Sequence, residues 1–148
     1  MRFSKIKKRH LIKEYGKILY CNKKNNKSYC TLHIGIVVSH NRIMPPADLI
    51  LEIRKRYPHC FLRTDNDGHL VFITTIKTVA TCSENDTFNE KKGKTVAYSK
   101  AQMKAYDLAK RIFATISLYH TIKHAEFDAS WMAMAAYFNR EVSFLKGM

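Results

Sequence analysis

HCFLRTDNDGHLVFITTIKTVAT, residues 59–81, carries the strongest structural signal of the chain. Its two outer parts, 59–64 and 69–81, are rich in β-branched and aromatic residues, which favour strands. Asp65-Asn66-Asp67-Gly68 joins them, and these residue types tolerate the backbone angles of a tight turn. The sequence therefore predicts a β-hairpin over this range.

A strand and a short helix are predicted before the hairpin. Residues 28–40, SYCTLHIGIVVSH, are rich in β-branched residues that alternate in part with polar ones, which predicts a strand. After Pro46, residues 47–57 repeat apolar side chains at three- and four-residue intervals, as one face of a helix does. Pro58 would end this helix, because proline cannot donate a helical hydrogen bond.

Helical patterns also follow the hairpin. Residues 87–90, TFNE, have the spacing of a helix-capping box, as have residues 99–102, and we favour the earlier start. Alanines at 97, 101, 105 and 109 form one side of this helix, so its first turns could lie close against a sheet. A separate last helix is predicted from about residue 128 to 145, because apolar residues recur there at helical spacing.

The amino-terminal part is the most basic. Residues 4–20 place apolar side chains near helical spacing among lysines, which predicts a basic amphipathic helix, and residues 22–27 read as an exposed loop. The predicted fold is α+β: a small, largely antiparallel three-stranded sheet packed against helices, with a basic N-terminal helix. A length of 148 residues fits one domain, with 1–27 as basic helix and loop and 28–148 as α+β core.

The charge of the chain points to a polyanionic partner. Twenty-six Lys and Arg against 12 Asp and Glu give a net charge of +14. Residues 1–27 hold ten basic residues and one acid, a net of +9, and this concentration favours a binding surface over general solubility. Nucleic acid is the commonest such partner, because lysines and arginines that contact phosphates release condensed counterions. A solvated helix face, an RNA-rich assembly or an acidic lipid or protein surface would fit the same charge.

Eleven basic residues are therefore candidates for phosphate contacts, DNA or RNA alike. They are Arg2, Lys5, Lys8, Arg9, Lys13, Lys23, Lys24 and Lys27 in the amino-terminal part, and Lys94, Lys100 and Lys104 on the long helix. Tyr15 and Tyr20 lie among the basic residues and could stack on unpaired bases, although core packing explains most tyrosines equally well.

The sequence holds no pattern typical of a metal site or of catalysis. The four cysteines lack zinc-site spacing, and His120 and His124 lack the following glutamate of a His-Glu-x-x-His site. His33 and His69 lie in strand segments similar to those of two-histidine phosphoesterases, but Gly35 and Val71 stand where Ser or Thr should bind phosphate. We expect no enzyme, metal or cofactor; an enzyme would need these histidines to converge in one pocket.

The sequence also predicts where the protein resides. No run approaches the roughly 18 apolar residues of a membrane span, and the start lacks the apolar core of a secretion signal. We therefore expect a cytoplasmic protein without a membrane partner, and reduced cysteines.

Residues 82–101 carry the pattern C-S-x2-D-x-F-x2-K-x-G-K-x-V-A-x2-K-A. It resembles a strand-to-helix signature of small bacteriophage and prophage proteins of undefined function, and covers about twenty residues. The resemblance implies a viral origin, hence a host-cell cytoplasmic or virion location. We expect a phage accessory protein that binds nucleic acid non-specifically. A virion structural or genome-associated protein, or an inhibitor of a host protein with an acidic surface, is the alternative.

Overall fold

A computed structural model describes residues 11–39, 44–83 and 87–147. The elements are β1 (Ile12–Asn22), β2 (Lys27–Ser39), α1 (Ala47–Arg56), β3 (Phe61–Thr64), β4 (Leu70–Thr81) and α2 (Glu90–Lys146). The strands form one sheet in the order β1-β2-β4-β3, and every neighbouring pair is antiparallel. The α+β class is confirmed, with four strands where three were predicted.

The chain divides into two compact units, Met1–Phe113 and Ala114–Met148. The sheet, α1 and residues 90–113 of α2 belong to the first unit, and the remainder of α2 belongs to the second. Within the described residues, no helix has a segment that is both long and apolar enough to cross a membrane.

The additional strand is β1, and it shows that the helix predicted over residues 4–20 is wrong from residue 12 onward. Residues 12–22 pair with β2 from Ile12 opposite Ile36 to Asn22 opposite Lys27, whereas residues 1–10 lie outside the described part of the chain. The spacing of the apolar residues fits a helix or a strand, and pairing with β2 decides for the strand. The register shifts between Glu14 and Gly16, so Tyr15 is the extra residue of a bulge.

The other predictions before α2 are confirmed. The strand predicted over 28–40 is β2 up to Ser39, and residue 40 lies outside the described residues. The helix predicted over 47–57 is α1, and β3 and β4 form the predicted hairpin. Asp65 accepts hydrogen bonds at Oδ1 from the backbone amides of Asp67 (3.0 Å) and His69 (2.8 Å), which holds the turn. Of the loop predicted over 22–27, residues 23–26 form the turn between β1 and β2, and Asn22 and Lys27 are the paired strand ends that flank it.

The two helices predicted after the hairpin are one continuous helix, α2, so the separate start near residue 128 is wrong. Asn89 caps α2: its Oδ1 accepts a hydrogen bond of 3.1 Å from the amide of Lys92. The small residues have the predicted role, because Ala97, Ala101, Ala105 and Ala109 are all buried.

α2 covers one face of the sheet and is hydrogen-bonded to β4 and to β1. The Thr78 hydroxyl donates to the carbonyl of Ala97 at 2.6 Å, and the Tyr98 hydroxyl donates to Glu14 Oε2 at 2.6 Å. The Glu14 carboxylate raises the pKa of Tyr98 to about 12, because it stabilises the protonated phenol. Alternate β2 residues 28, 30, 32, 34 and 36 are buried on this face.

Candidate nucleic-acid interface

The structure separates the eleven predicted phosphate-contacting residues into several groups. Arg2, Lys5, Lys8 and Arg9 lie outside the described residues. Lys13 is on β1; Lys23 and Lys24 are exposed in the β1–β2 turn, and Lys27 begins β2; Lys94, Lys100 and Lys104 are on α2. The basic residues therefore lie on strands, a turn and a helix of the first unit.

Lys13 is engaged by carboxylates. Its ammonium donates hydrogen bonds to Asp65 and, at 3.1 Å, to Asp67 in the β3–β4 turn. The hydrogen bond from Lys13 lowers the pKa of Asp65, and the hydrogen bond to Asp65 raises the pKa of Lys13. Lys13 thus links β1 to the β3–β4 turn, and its charge is compensated within the protein.

The same turn gathers three groups that resemble metal ligands. One ligand atom each from Asp65, Asp67 and His69 lies within 4.8 Å of the others. The Lys13 ammonium already provides a positive charge to both carboxylates. We therefore assign this cluster to the folding of the turn.

Lys94 and Lys100 differ in their surroundings. Lys94 forms an ion pair of 3.3 Å with Glu90, one turn earlier in α2. Lys100 donates a hydrogen bond of 3.2 Å to the carbonyl of Val79 in β4. That carbonyl lies on an edge of the sheet, because β3 pairs only with residues 70–73 of β4.

A basic depression lies along this edge of β4. Its lining is contributed by β2, β4 and α2, and consists of Tyr29, Lys77, Thr78, Val79, Lys100, Met103 and Lys104. Among the described residues, Lys77, Lys100 and Lys104 make no ion pair with a carboxylate. Three positive charges therefore face solvent beside one aromatic ring.

Tyr29 lines this depression and also lies on the sheet face opposite α2, which we call the open face. The side chains of the open face come from alternate residues: 18 and 20 of β1, 27, 29 and 31 of β2, and 75, 77 and 79 of β4. Tyr20 and Tyr29 are direct cross-strand neighbours with ring centroids 6.0 Å apart and planes tilted by 32°. Lys27 and Lys77 are on the same face, so aromatic and basic side chains are interleaved there.

The histidines are dispersed. On the open face, His33 Nδ1 lies 2.9 Å from the hydroxyl of Thr75, its cross-strand neighbour. His69 precedes β4, six residues before Thr75, which corresponds to about 20 Å of extended strand. His120 and His124 belong to the second unit, where His124 lies 3.3 Å from Asp128. The structure thus does not bring His33 and His69 together.

Sequence reasoning missed Lys77 and Tyr29. Both lie in predicted strands, and the alternation of Thr75, Lys77 and Val79 between buried neighbours was a signal that these residues share the outer face. Their proximity to Lys100 and Lys104 depends on how α2 packs, which has no local signal. Comparison of the chain with protein-family models, with curated proteins and with solved structures found no match.

Proposed function

We propose that the first unit binds nucleic acid non-specifically through a basic surface, in a small accessory protein of phage origin. The surface consists of Lys23 and Lys24 in the β1–β2 turn, Lys27 at the start of β2, and the basic depression with Lys77, Lys100 and Lys104. Lys27 and Lys77 lie on the open face, and Lys100 and Lys104 lie at its β4 margin. The phage origin depends on the pattern in residues 82–101.

One observation supports this proposal most strongly: the positive charge is segregated. Residues 1–113 hold 23 basic and 9 acidic residues, a net of +14, whereas residues 114–148 hold three of each. The six lysines of the proposed surface make no ion pair among the described residues. Unpaired lysines are available to displace counterions from phosphates, which is the source of non-specific affinity.

The test is a salt titration of binding to labelled oligonucleotides, followed by fluorescence anisotropy. Affinity should fall steeply between about 50 and 200 mM salt, with log K linear in log salt concentration. The double substitution Lys100→Gln/Lys104→Gln should reduce the slope by about 1 to 2, since each lost phosphate contact removes about 0.9 from it.

Arg54→Gln/Lys55→Gln is the matched control, because it also removes two positive charges, from exposed positions of α1. It should leave the slope closer to that of the parent. Affinity that is insensitive to salt, or equal effects of the two double substitutions, would contradict the proposed surface.

A second candidate function is that of an assembly or interaction protein. Large apolar side chains of the second unit are at least half exposed: Leu118, Ile122, Phe127, Trp131, Met132, Met134, Tyr137, Phe138, Phe144 and Leu145. Exposed apolar surface of this extent is typical of protein interaction sites. Since the segment has no net charge, we favour a second copy of the chain as its partner.

Sedimentation of nuclease-treated protein tests this candidate. The average mass should rise with concentration, and Trp131→Glu/Phe138→Glu should shift the protein towards monomer, because burying carboxylates in an apolar contact is costly. A protein that stays monomeric at all concentrations would refute self-association.

A further inference from the structure

The open face carries more apolar surface than the solvent side of a sheet usually does. The outward face of an antiparallel sheet is normally polar, yet Ile18 is 61% exposed and Tyr20 is 58% exposed. Tyr15 is also exposed and lies across Gly35, where a Cβ atom would be 2.7 Å from its ring. The glycine thus leaves room for an aromatic ring to lie on the backbone of β2.

Strand pairing fixes the positions of the two tyrosine rings that could contact a ligand. Tyr20 and Tyr29 face each other across β1 and β2, and Val79 of β4 continues the same row. The next row contains Ile18, Thr31 and Lys77. Residues two apart along a strand point to the same face and are about 6.7 Å apart. The row with the two tyrosines and the row with Lys77 are therefore adjacent.

The charge of the open face suits a polyanion. Its strand positions hold no Asp or Glu, because Glu14 points to α2 and hydrogen-bonds Tyr98. Asp65 and Asp67 lie at the β3–β4 turn, where the Lys13 ammonium offsets one of their two negative charges. Positive charge comes from Lys27 and Lys77 on the face and from Lys100 and Lys104 at its margin.

The geometry points to a single-stranded nucleic acid as the occupant: unpaired bases stack on Tyr20 and Tyr29 while the lysines contact the phosphates. This inference rests on the proposed function and specifies its ligand. An aromatic ring can stack only on a base whose π-face is uncovered, as it is in a single strand. In a duplex the bases are stacked on one another, and its major groove admits a helix or a narrow two-stranded ribbon.

The experiment is an anisotropy titration with a labelled strand of about 16 nucleotides, as oligo-dT and as oligo-U, and with a mixed-sequence strand alone and annealed to its complement. All three single strands should bind more tightly than the duplex. Tyr20→Leu and Tyr29→Leu should each weaken single-strand binding roughly 5- to 150-fold, the range measured for loss of one stacked base. The salt slope should stay unchanged, because no charge is removed.

Tyr20→Phe and Tyr29→Phe are the first controls, because they keep the ring and should bind like the parent protein. Tyr106→Leu is the second, since it removes an exposed tyrosine from α2 and should also leave binding unchanged. Circular dichroism on every variant verifies folding. If Tyr29→Leu does not fold, the more exposed Tyr20 still decides the question.

The outcomes separate this inference from the proposed function. Stacking is refuted if the duplex binds as tightly as the single strand, or if the Leu variants bind like the parent while Lys100→Gln/Lys104→Gln still weakens binding. The proposed function fails if neither single strands nor duplex bind in a salt-dependent manner. A preference for oligo-U over oligo-dT would assign the ligand to RNA, and the reverse to DNA.

Discussion

Gly93 lies where α2 packs directly against Ser28 of β2. A Cβ atom at this position would lie 2.1 Å from the Ser28 hydroxyl and 3.1 Å from its Cβ. In an exposed helix, Gly→Ala stabilises by about 1 kcal/mol, but here the added methyl must displace a fully buried serine. We expect Gly93→Ala to lower the free energy of unfolding by about 1–3 kcal/mol, measured by denaturant titration.

The double variant Ser28→Ala/Gly93→Ala is the control for that prediction. It removes the hydroxyl that the new methyl would meet, so it should recover part of the loss. A stabilising effect of Gly93→Ala alone would show that α2 is not packed this closely.

The ion pair between Lys13 and Asp65 predicts a dependence of stability on pH. The pKa of Asp65 lies below its ordinary value of 3.8, so its contribution is present above that pH and is lost as pH falls through the lowered pKa. The pKa of Lys13 lies above 10.5, so the contribution is present below that pH and is lost at more alkaline pH.

Thermal melts of the parent and of Asp65→Asn, from acidic to alkaline pH, measure the contribution of this ion pair to stability. The Tm of the parent should exceed that of Asp65→Asn at neutral pH, and the difference should shrink in acid. Asparagine keeps the Oδ1 acceptor of the turn, so a constant difference at all pH values would exclude the ion pair as its cause.

The four thiols should differ in reactivity. Burial raises the pKa of Cys30 and of Cys60, which are 1% and 3% exposed, whereas Cys21 and Cys82 are half-buried. Since the thiolate is the reactive form, a Cys21→Ser/Cys82→Ser variant should react with a thiol reagent only slowly until it is unfolded. Rapid reaction of the native variant would contradict the burial of Cys30 and Cys60.

At the scale of elements, some features of the fold could be predicted from the sequence and others could not. The β3–β4 hairpin was predictable because Asp, Asn and Gly determine the turn through local backbone preferences. The side of α2 with small residues was predictable because helical periodicity is also a local signal. β1 was not predictable, because its apolar residues fit helical spacing equally well and only pairing with β2 decides between helix and strand. Likewise, Lys100 and Lys104 were predicted to contact phosphates, but their position beside Lys77 and Tyr29 was not predictable from the sequence.

α2 itself should not be uniformly protected. Its buried side chains extend from Ala97 to Thr115, whereas most side chains of residues 117–146 are exposed. Helices without tertiary packing are marginally stable in water. In dilute protein, hydrogen exchange should therefore be slower in residues 97–112 than in 118–146.

Raising the protein concentration tests the cause of that difference. If a second copy covers the apolar residues, protection of 118–146 should increase with concentration, while that of 97–112 should not change. Equal protection along the whole of α2 in dilute protein would contradict the exposure seen in the structure.

At the scale of the whole molecule, charge and exposed apolar surface belong to different units: the net charge of +14 is in residues 1–113, and residues 114–148 are neutral. The two proposed functions should therefore be separable. Lys100→Gln/Lys104→Gln should weaken nucleic-acid binding without changing sedimentation, and Trp131→Glu/Phe138→Glu should do the opposite. An effect of the second variant on the affinity of dilute, monomeric protein would show that the two functions are coupled.

The sequence by itself determined the α+β class, α1, β2, the β3–β4 hairpin and the excess of positive charge, because turn chemistry, short-range periodicity and composition require no knowledge of distant residues. The tertiary structure decided that residues 12–22 form a strand and that Tyr20 lies beside Tyr29. It also decided which lysines are compensated by carboxylates and which are not. These features depend on strand pairing and helix packing between distant segments, where backbone hydrogen bonds and burial outweigh local preference.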